Sequence, residues 1–144
     1  MKKIQEIAYG SEAYQASLEL RNKVMRLPLG SNIYDEDLSH EKTSLILVCY
    51  EDGVLIGTTV MSFHGTDGKI DTLCIDTKCQ YAGTGTLLLQ ELEKRAKETG
   101  CTLVTMDARV SAMKFYEKYG YAAEGEAYKL PFSPIPHVYM TKKI

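Results

Sequence analysis

The chain has 144 residues, is 44% hydrophobic and 25% charged, and carries a net charge of −2; that balance fits one globular domain over residues 1–144 with one core. The small negative charge argues against nucleic acid or an anionic membrane as a main partner. No run nears the ~20 apolar residues of a spanning helix, and MKKIQEIAYG at the start lacks the apolar region of a secretory signal, so a cytoplasmic protein is expected.

In chain order, Lys2–Ala8 reads as a strand. Ser11 is placed to cap a helix running to about Leu27, with Ala13, Ala16, Leu20, Val24 and Leu27 on its apolar face and Pro28 as its stop. Residues 29–43 are irregular and acidic and read as loop or short helical turns. Leu45–Tyr50 and Val54–His64 form a hairpin across Glu51-Asp52-Gly53. Ile70–Asp76 is a third strand, and its apolar parity slips between Ile70 and Leu73, which predicts a β-bulge. Gly83–Thr99 is a helix with Leu88, Leu92 and Ala96 on one face and Gly100 at its end. Cys101–Asp107 is a strand and Val110–Tyr119 a short helix stopped by Gly120. Tyr121–Leu130 and His137–Lys142 are strands joined by the proline-rich Pro131–Pro136. The order β-α-β-β-β-α-β-α-β-β predicts an α/β architecture, a mixed sheet with helices on its faces.

The four cysteines, Cys49, Cys74, Cys79 and Cys101, form no CxxC pair, and the histidines lie far from them in sequence. No metal site is expected. Cys49, Cys74 and Cys101 sit among aliphatic residues and read as buried free thiols. Cys79 falls in a loop.

The most informative segment is Gln80-Tyr81-Ala82-Gly83-Thr84-Gly85, between a strand and a helix. A turn there leaves backbone N–H groups unpaired at a helix N-terminus, where partial positive charge favours phosphate, and glycine lets the backbone approach an anion. A tight turn with glycines for steric reasons is the simpler reading of the same residues. No Lys-Ser or Lys-Thr follows, so a P-loop fails. A dinucleotide fingerprint needs a third glycine where Leu88 stands, although Asp107 falls near the end of the next strand.

The pattern Q/R-x-x-G-x-G/A is met at every fixed position, and the segment resembles motif A of the GNAT N-acetyltransferase superfamily. Gln80 stands for the commoner Arg, and Tyr81 for Gly. The resemblance implies the GNAT fold, a central mixed and mostly antiparallel sheet with helices on both faces, and acetyl-coenzyme A as co-substrate. It also implies that the backbone of Leu73, Cys74 and Ile75 meets the acetyl-pantetheine end. Gln80, Tyr81, Ala82, Gly83, Thr84, Gly85 and Thr86 would hold the pyrophosphate.

Thirty residues on, Ala112-Met113-Lys114-Phe115-Tyr116-Glu117-Lys118-Tyr119-Gly120-Tyr121 resembles the family's A-x-x-F-Y-x-x-x-G-[FY] signature. Ala112, Phe115 and Tyr119 share one helical stripe suited to the core, and Tyr116 lies about 100° off it. The resemblance implies Tyr116 as the acid that protonates the leaving thiolate, with membership of an aromatic core cluster as the simpler reading. The ending Ile135-Pro136-His137-Val138-Tyr139-Met140, and the segment from Leu20 through Gly30 with Asp35–His40, resemble a bacterial subgroup.

Acetyl transfer to an amine also needs a base. Asp71, read as sharing a strand face with Leu73 and Ile75, is the candidate, with a solvated strand carboxylate as the bland alternative. His64 and His137 read as structural. Asp35, Glu36, Asp37 and Glu41 form an acidic cluster able to attract a cationic amine or simply to face solvent. The expected partners are acetyl-coenzyme A and an amine, with a second copy of the chain possible and no nucleic acid or membrane. A silent GNAT-fold module that binds coenzyme A, and a nucleotide-binding oxidoreductase, remain as other classes.

Overall fold

Seven strands form one sheet in the order β1-β2-β3-β4-β5-β7-β6. The strands are β1 (Lys2–Glu6), β2 (Leu45–Glu51), β3 (Val54–His64), β4 (Asp67–Ile75), β5 (Leu103–Arg109), β6 (Ala122–Lys129) and β7 (Pro136–Lys143). Helices α1 (Glu12–Met25), α2 (Thr84–Thr99) and α3 (Met113–Lys118) complete the order expected from the sequence. The computed structural model describes residues 1–80, 82–131 and 133–144. Every neighbouring pair is antiparallel except β4–β5, which the α2 crossover makes parallel. A sheet so largely antiparallel is not the doubly wound sheet of a dinucleotide-binding domain.

Leu45–Cys49 of β2 is buried at every residue because helices cover both faces there. Beneath α2, Leu88, Leu89, Leu92 and Ala96 pack on Leu47, Met61, Val104 and Met140. On the other face Tyr14 and Leu18 of α1 pack on Ile33, Ile46 and Val60. Gly100 ends α2 at φ +100°, a conformation a β-carbon would strain.

The buried face of α1 differs from the expected one. Of Ala13, Ala16, Leu20, Val24 and Leu27, only Leu20 is buried, and Ala16 and Leu27 are exposed. The covered residues are Tyr14, Ser17, Leu18, Leu20, Arg21 and Asn22. Polar residues hold this face because each finds a partner. Ser17 Oγ donates to Tyr14 O at 2.6 Å, and Asn22 Oδ1 accepts from the Ile33 N–H at 2.8 Å. Tyr14 and Arg21 share Glu41. Hydrophobic periodicity cannot find a stripe whose burial depends on such distant partners.

The expected bulge in β4 is present. Val60 faces Thr72 and Met61 faces Ile70, leaving Asp71 unopposed. The β4–β5 ladder stops at Ile70 and Met106, although both strands continue. The two strands therefore part, and the edge of residues 71–75 that would face β5 has no strand partner.

One glycine outside the loop controls this region. A β-carbon on Gly57 of β3 would lie 3.0 Å from Ile75 Cδ1 and 3.1 Å from both Leu88 Cδ1 and Thr84 Cγ2. Gly57→Ala is expected to push the first turn of α2 off the sheet and to cost about 1–3 kcal/mol of stability. Chemical denaturation checks the cost; an unchanged midpoint would mean that α2 absorbs the methyl group without moving.

Candidate active site

The parting of β4 and β5 opens a cleft of about 840 Å³. Its walls include Asp71 and Leu73 from β4, Arg109 from β5, Tyr116 from α3 and His137 from β7. Strand alternation sorts the side chains. Leu73 and Ile75 pack with the core under α2, as do Val104, Met106 and Ala108. Thr72 Oγ1 instead lies 3.3 Å from Met25 Sδ of α1, and Cys74 Sγ lies 3.9 Å from Leu20 O.

The bulge corrects the placement of Asp71. It does not share a face with Leu73 and Ile75; the charges acting on it are Lys69, and His40 and Glu41 from the 3-10 turn Ser39–Thr43 on the α1 side. Asp71 is open to solvent on one side and walled by the cleft on the other. That desolvation raises its carboxyl above the usual aspartate range, against the lowering effects of Ser62 and Lys69.

Tyr116 is the deepest residue of α3, at 7% exposure, whereas Ala112, Phe115 and Tyr119 are half-buried. The expected stripe of Ala112, Phe115 and Tyr119 packs against the core, but Tyr116 lies deeper still. The helix has only six residues and follows a 3-10 turn over Val110–Ala112, so the α-helical phase counted from Ala112 does not hold. Phe115 and Tyr121 pack edge-on against the Tyr116 ring, at centroid distances of 5.2 and 5.8 Å. Burial is the one influence on the Tyr116 hydroxyl and raises its pKa well above the ordinary tyrosine range, so it keeps its proton.

The glycine loop lies beyond the cleft. Gly83 caps α2 at φ +86° with no side-chain hydrogen bond, and the first helical bond to the cap runs from the Leu87 N–H to Gly83 O at 3.1 Å. The N–H groups of Thr84, Gly85 and Thr86 precede it and have no helical acceptor. Thr84 Oγ1 is buried with no partner among the described residues. Gly85 is needed for packing: a β-carbon there would stand 3.3 Å from Phe115 Cζ. The Thr86 hydroxyl is engaged with Tyr119 Oη at 2.7 Å, leaving its backbone to face a ligand. Gln80 and Ala82 are exposed, and Ala82 O accepts from Lys2 Nζ. Tyr81, the remaining residue of the expected pyrophosphate set, lies outside the described residues. Cys74 is buried at 2% exposure and its thiol is pushed up to about 12 by burial, so only its backbone is available to a cofactor.

The acidic cluster is largely committed within the fold. Glu41 receives both Arg21 Nη atoms at 2.9 Å and the Tyr14 hydroxyl at 2.7 Å. Glu36 pairs with Arg26, and Asp37 accepts the Ser39 N–H at 3.0 Å. His64 is exposed beside Ser62. His137, read from the sequence as structural, lines the cleft with Nδ1 2.7 Å from Ile135 O. A carbonyl only accepts, so this contact assigns the proton to Nδ1 and leaves Nε2 as the basic nitrogen. The sequence signal available for it was Pro136-His137 at the start of a strand beside the cleft-forming motifs.

Residues 25–144 match the family model described as an acetyltransferase (GNAT) domain. A Bacillus subtilis (strain 168) protein named as an acetyltransferase is 33% identical over 131 residues, covering 88% of this chain and 87% of its own. A Lactobacillus plantarum structure named as an N-acetyltransferase aligns with a TM-score of 0.84 at 24% identity, covering 99% of this chain and 97% of the other. The PaiA N-acetyltransferase of Thermoplasma acidophilum, solved in complex with coenzyme A, aligns with a TM-score of 0.76 at 17% identity over 100% and 99% of the two chains. Those two likenesses describe the fold; the family match, with the parted strands and the uncapped helix it spans, means that the chain belongs to the GNAT acetyltransferase family.

Proposed function

We propose that the chain is an N-acetyltransferase that carries the acetyl group of acetyl-coenzyme A directly to the amine of an acceptor bound in the cleft. The observation that carries this reading is the pairing of two unsatisfied backbone surfaces. The β5-facing edge of residues 71–75 lacks a strand partner, and the N-terminus of α2 lacks a side-chain cap. A pantetheine arm suits the first, because an extended amide chain can add to an open strand edge. A pyrophosphate suits the second, where the first helical N–H groups have no helical acceptor. A structural neighbour solved with coenzyme A supports that choice of ligand.

Acetyl-coenzyme A supplies an activated acyl thioester. Asp71 accepts the proton shed as the acceptor nitrogen bonds to the acyl carbon, and Tyr116 gives its proton to the sulfur as the carbon–sulfur bond breaks. The raised Asp71 carboxyl is a better base than an ordinary aspartate, and the buried Tyr116 hydroxyl is protonated whenever it is needed. Leu73, Cys74 and Ile75 present backbone groups to the acyl end, and Gln80 to Thr86 present theirs to the phosphates.

Acetyl-coenzyme A is expected to raise the melting temperature. A ligand at a hundredfold excess over Kd, bound only to folded protein, adds about 2.7 kcal/mol. NAD should leave the temperature unchanged. No shift at millimolar acetyl-coenzyme A would remove the reading. A second measurement concerns the base. Asp71 acts only when ionised, so the rate should fall as pH drops through its raised pKa, and Asp71→Asn should abolish that acid limb and lower kcat by roughly 10²–10⁴. An acid limb that survives in Asp71→Asn would transfer the role to His137, whose ring lines the same cleft.

A further inference from the structure

Four lysine and arginine side chains line the cleft: Arg21, Arg26, Lys69 and Arg109. Three are matched by carboxylates. Arg21 holds Glu41, Arg26 holds Glu36, and Lys69 Nζ lies 3.5 Å from Asp107. Arg109 forms no ion pair among the described residues. It is half-buried, and the strongest charge effect on it comes from a like charge, Arg26. A partly desolvated guanidinium with no acceptor for its donors is costly, and a bound anion would relieve that cost.

The strand pattern says which ligand the anion belongs to. Val104, Met106 and Ala108 of β5 pack into the core under α2, so Thr105, Asp107 and Arg109 project from the opposite face. Arg109 thus stands on the side of the sheet away from the uncapped N-terminus of α2. It pairs in register with His137 of β7. Across the cleft on β4 stands Asp71, which has no ion pair among the described residues and whose carboxyl suits an ammonium group. The cleft therefore carries an unmatched anion on one parted strand and an unmatched cation on the other.

We infer that Arg109 is the subsite for an acid group on the acceptor, so that the substrate is an amine that also bears a carboxylate, in the manner of an amino acid. This rests on the acetyltransferase reading above and names the acceptor class for the same site. A planar guanidinium with paired donors grips a carboxylate at two points, which orients the acceptor as well as holding it. Its amine is then directed toward the bulge of β4.

The experiment compares matched acceptors, each amino acid against its own carboxamide, by the thiol released from acetyl-coenzyme A. For the best acceptor, kcat/KM should favour the free acid by about ten- to a hundredfold, the range for one charge-assisted hydrogen-bonded contact. Arg109→Gln should erase that preference by lowering the acid's value far more than the carboxamide's. The KM for acetyl-coenzyme A should stay level, and Arg109→Lys should restore part of the difference. Circular dichroism confirms that the variants fold. If no acid outperforms its carboxamide, including the case in which none is acetylated, while acetyl-coenzyme A still raises the melting temperature, the acid subsite is wrong and the acetyltransferase reading stands. If Arg109→Gln raises the KM for acetyl-coenzyme A and leaves the acid preference intact, Arg109 serves the co-substrate instead. If acetyl-coenzyme A gives the wild-type protein no thermal shift, both readings fall together.

Discussion

Glu41→Ala should lower the free energy of unfolding by about 3–5 kcal/mol, the usual consequence of removing one partner from a buried ion pair. Glu41 is 1% exposed, Arg21 4% and Tyr14 3%. The variant would leave the Arg21 guanidinium buried without its two-point partner, and the Tyr14 hydroxyl without an acceptor. A double variant, Arg21→Met with Glu41→Leu, should cost less than Glu41→Ala, because no charge is then left buried. Urea denaturation of the three proteins checks this, and a Glu41→Ala loss under 1 kcal/mol would mean that water enters and solvates Arg21.

The same group gives the pH dependence a definite sign. Burial pushes the Glu41 carboxyl up, but the hydrogen bonds and charge of Arg21, with the Tyr14 hydroxyl, outweigh it and hold the carboxyl below the usual glutamate range. A depressed folded-state pKa contributes stability that is present above the unfolded value and lost as pH falls through the folded one. Acid should therefore weaken the protein from the ordinary glutamate range downward. Glu41→Gln should flatten that part of the stability curve.

Tyr116→Phe should reduce kcat by roughly 10²–10⁴, the typical contribution of a positioned general acid. The ring stays, so its edge-on contacts with Phe115 and Tyr121 survive, and stability should move little. Affinity for acetyl-coenzyme A should also hold, because a hydrogen bond to an uncharged thioester sulfur is weak before the bond breaks. The raised pKa adds a further expectation. With the hydroxyl protonated well above the ordinary tyrosine range, no alkaline decline in rate should belong to Tyr116 at mildly basic pH. An unchanged kcat in Tyr116→Phe, measured where chemistry limits turnover, would reduce Tyr116 to a packing residue.

Much of this molecule is legible in local sequence. Glycines, prolines and apolar spacing determine the element order, because each acts within a few residues of itself. Gly100 ends α2 through its own φ, and Leu88, Leu92 and Ala96 are buried on the face their spacing predicts. The slip in parity between Ile70 and Leu73 was enough to locate the bulge, and the spacing of Gly83 and Gly85 was enough to locate the uncapped helix. What only the tertiary structure decided are properties that depend on partners far along the chain. The buried face of α1 carries Arg21 because Glu41 lies across from it. The same pairing removes Glu41 from the acidic cluster that would otherwise attract a cationic amine. Asp71 changes sides because a bulged residue leaves the alternation of its strand. Tyr116, and not Phe115, is the deepest residue of α3 because a six-residue helix takes its rotation from what it packs against. Arg109 stands without a counter-ion among the described residues beside the point where β4 and β5 part after Met106, and that parting, which no local pattern encodes, is what makes room for a substrate.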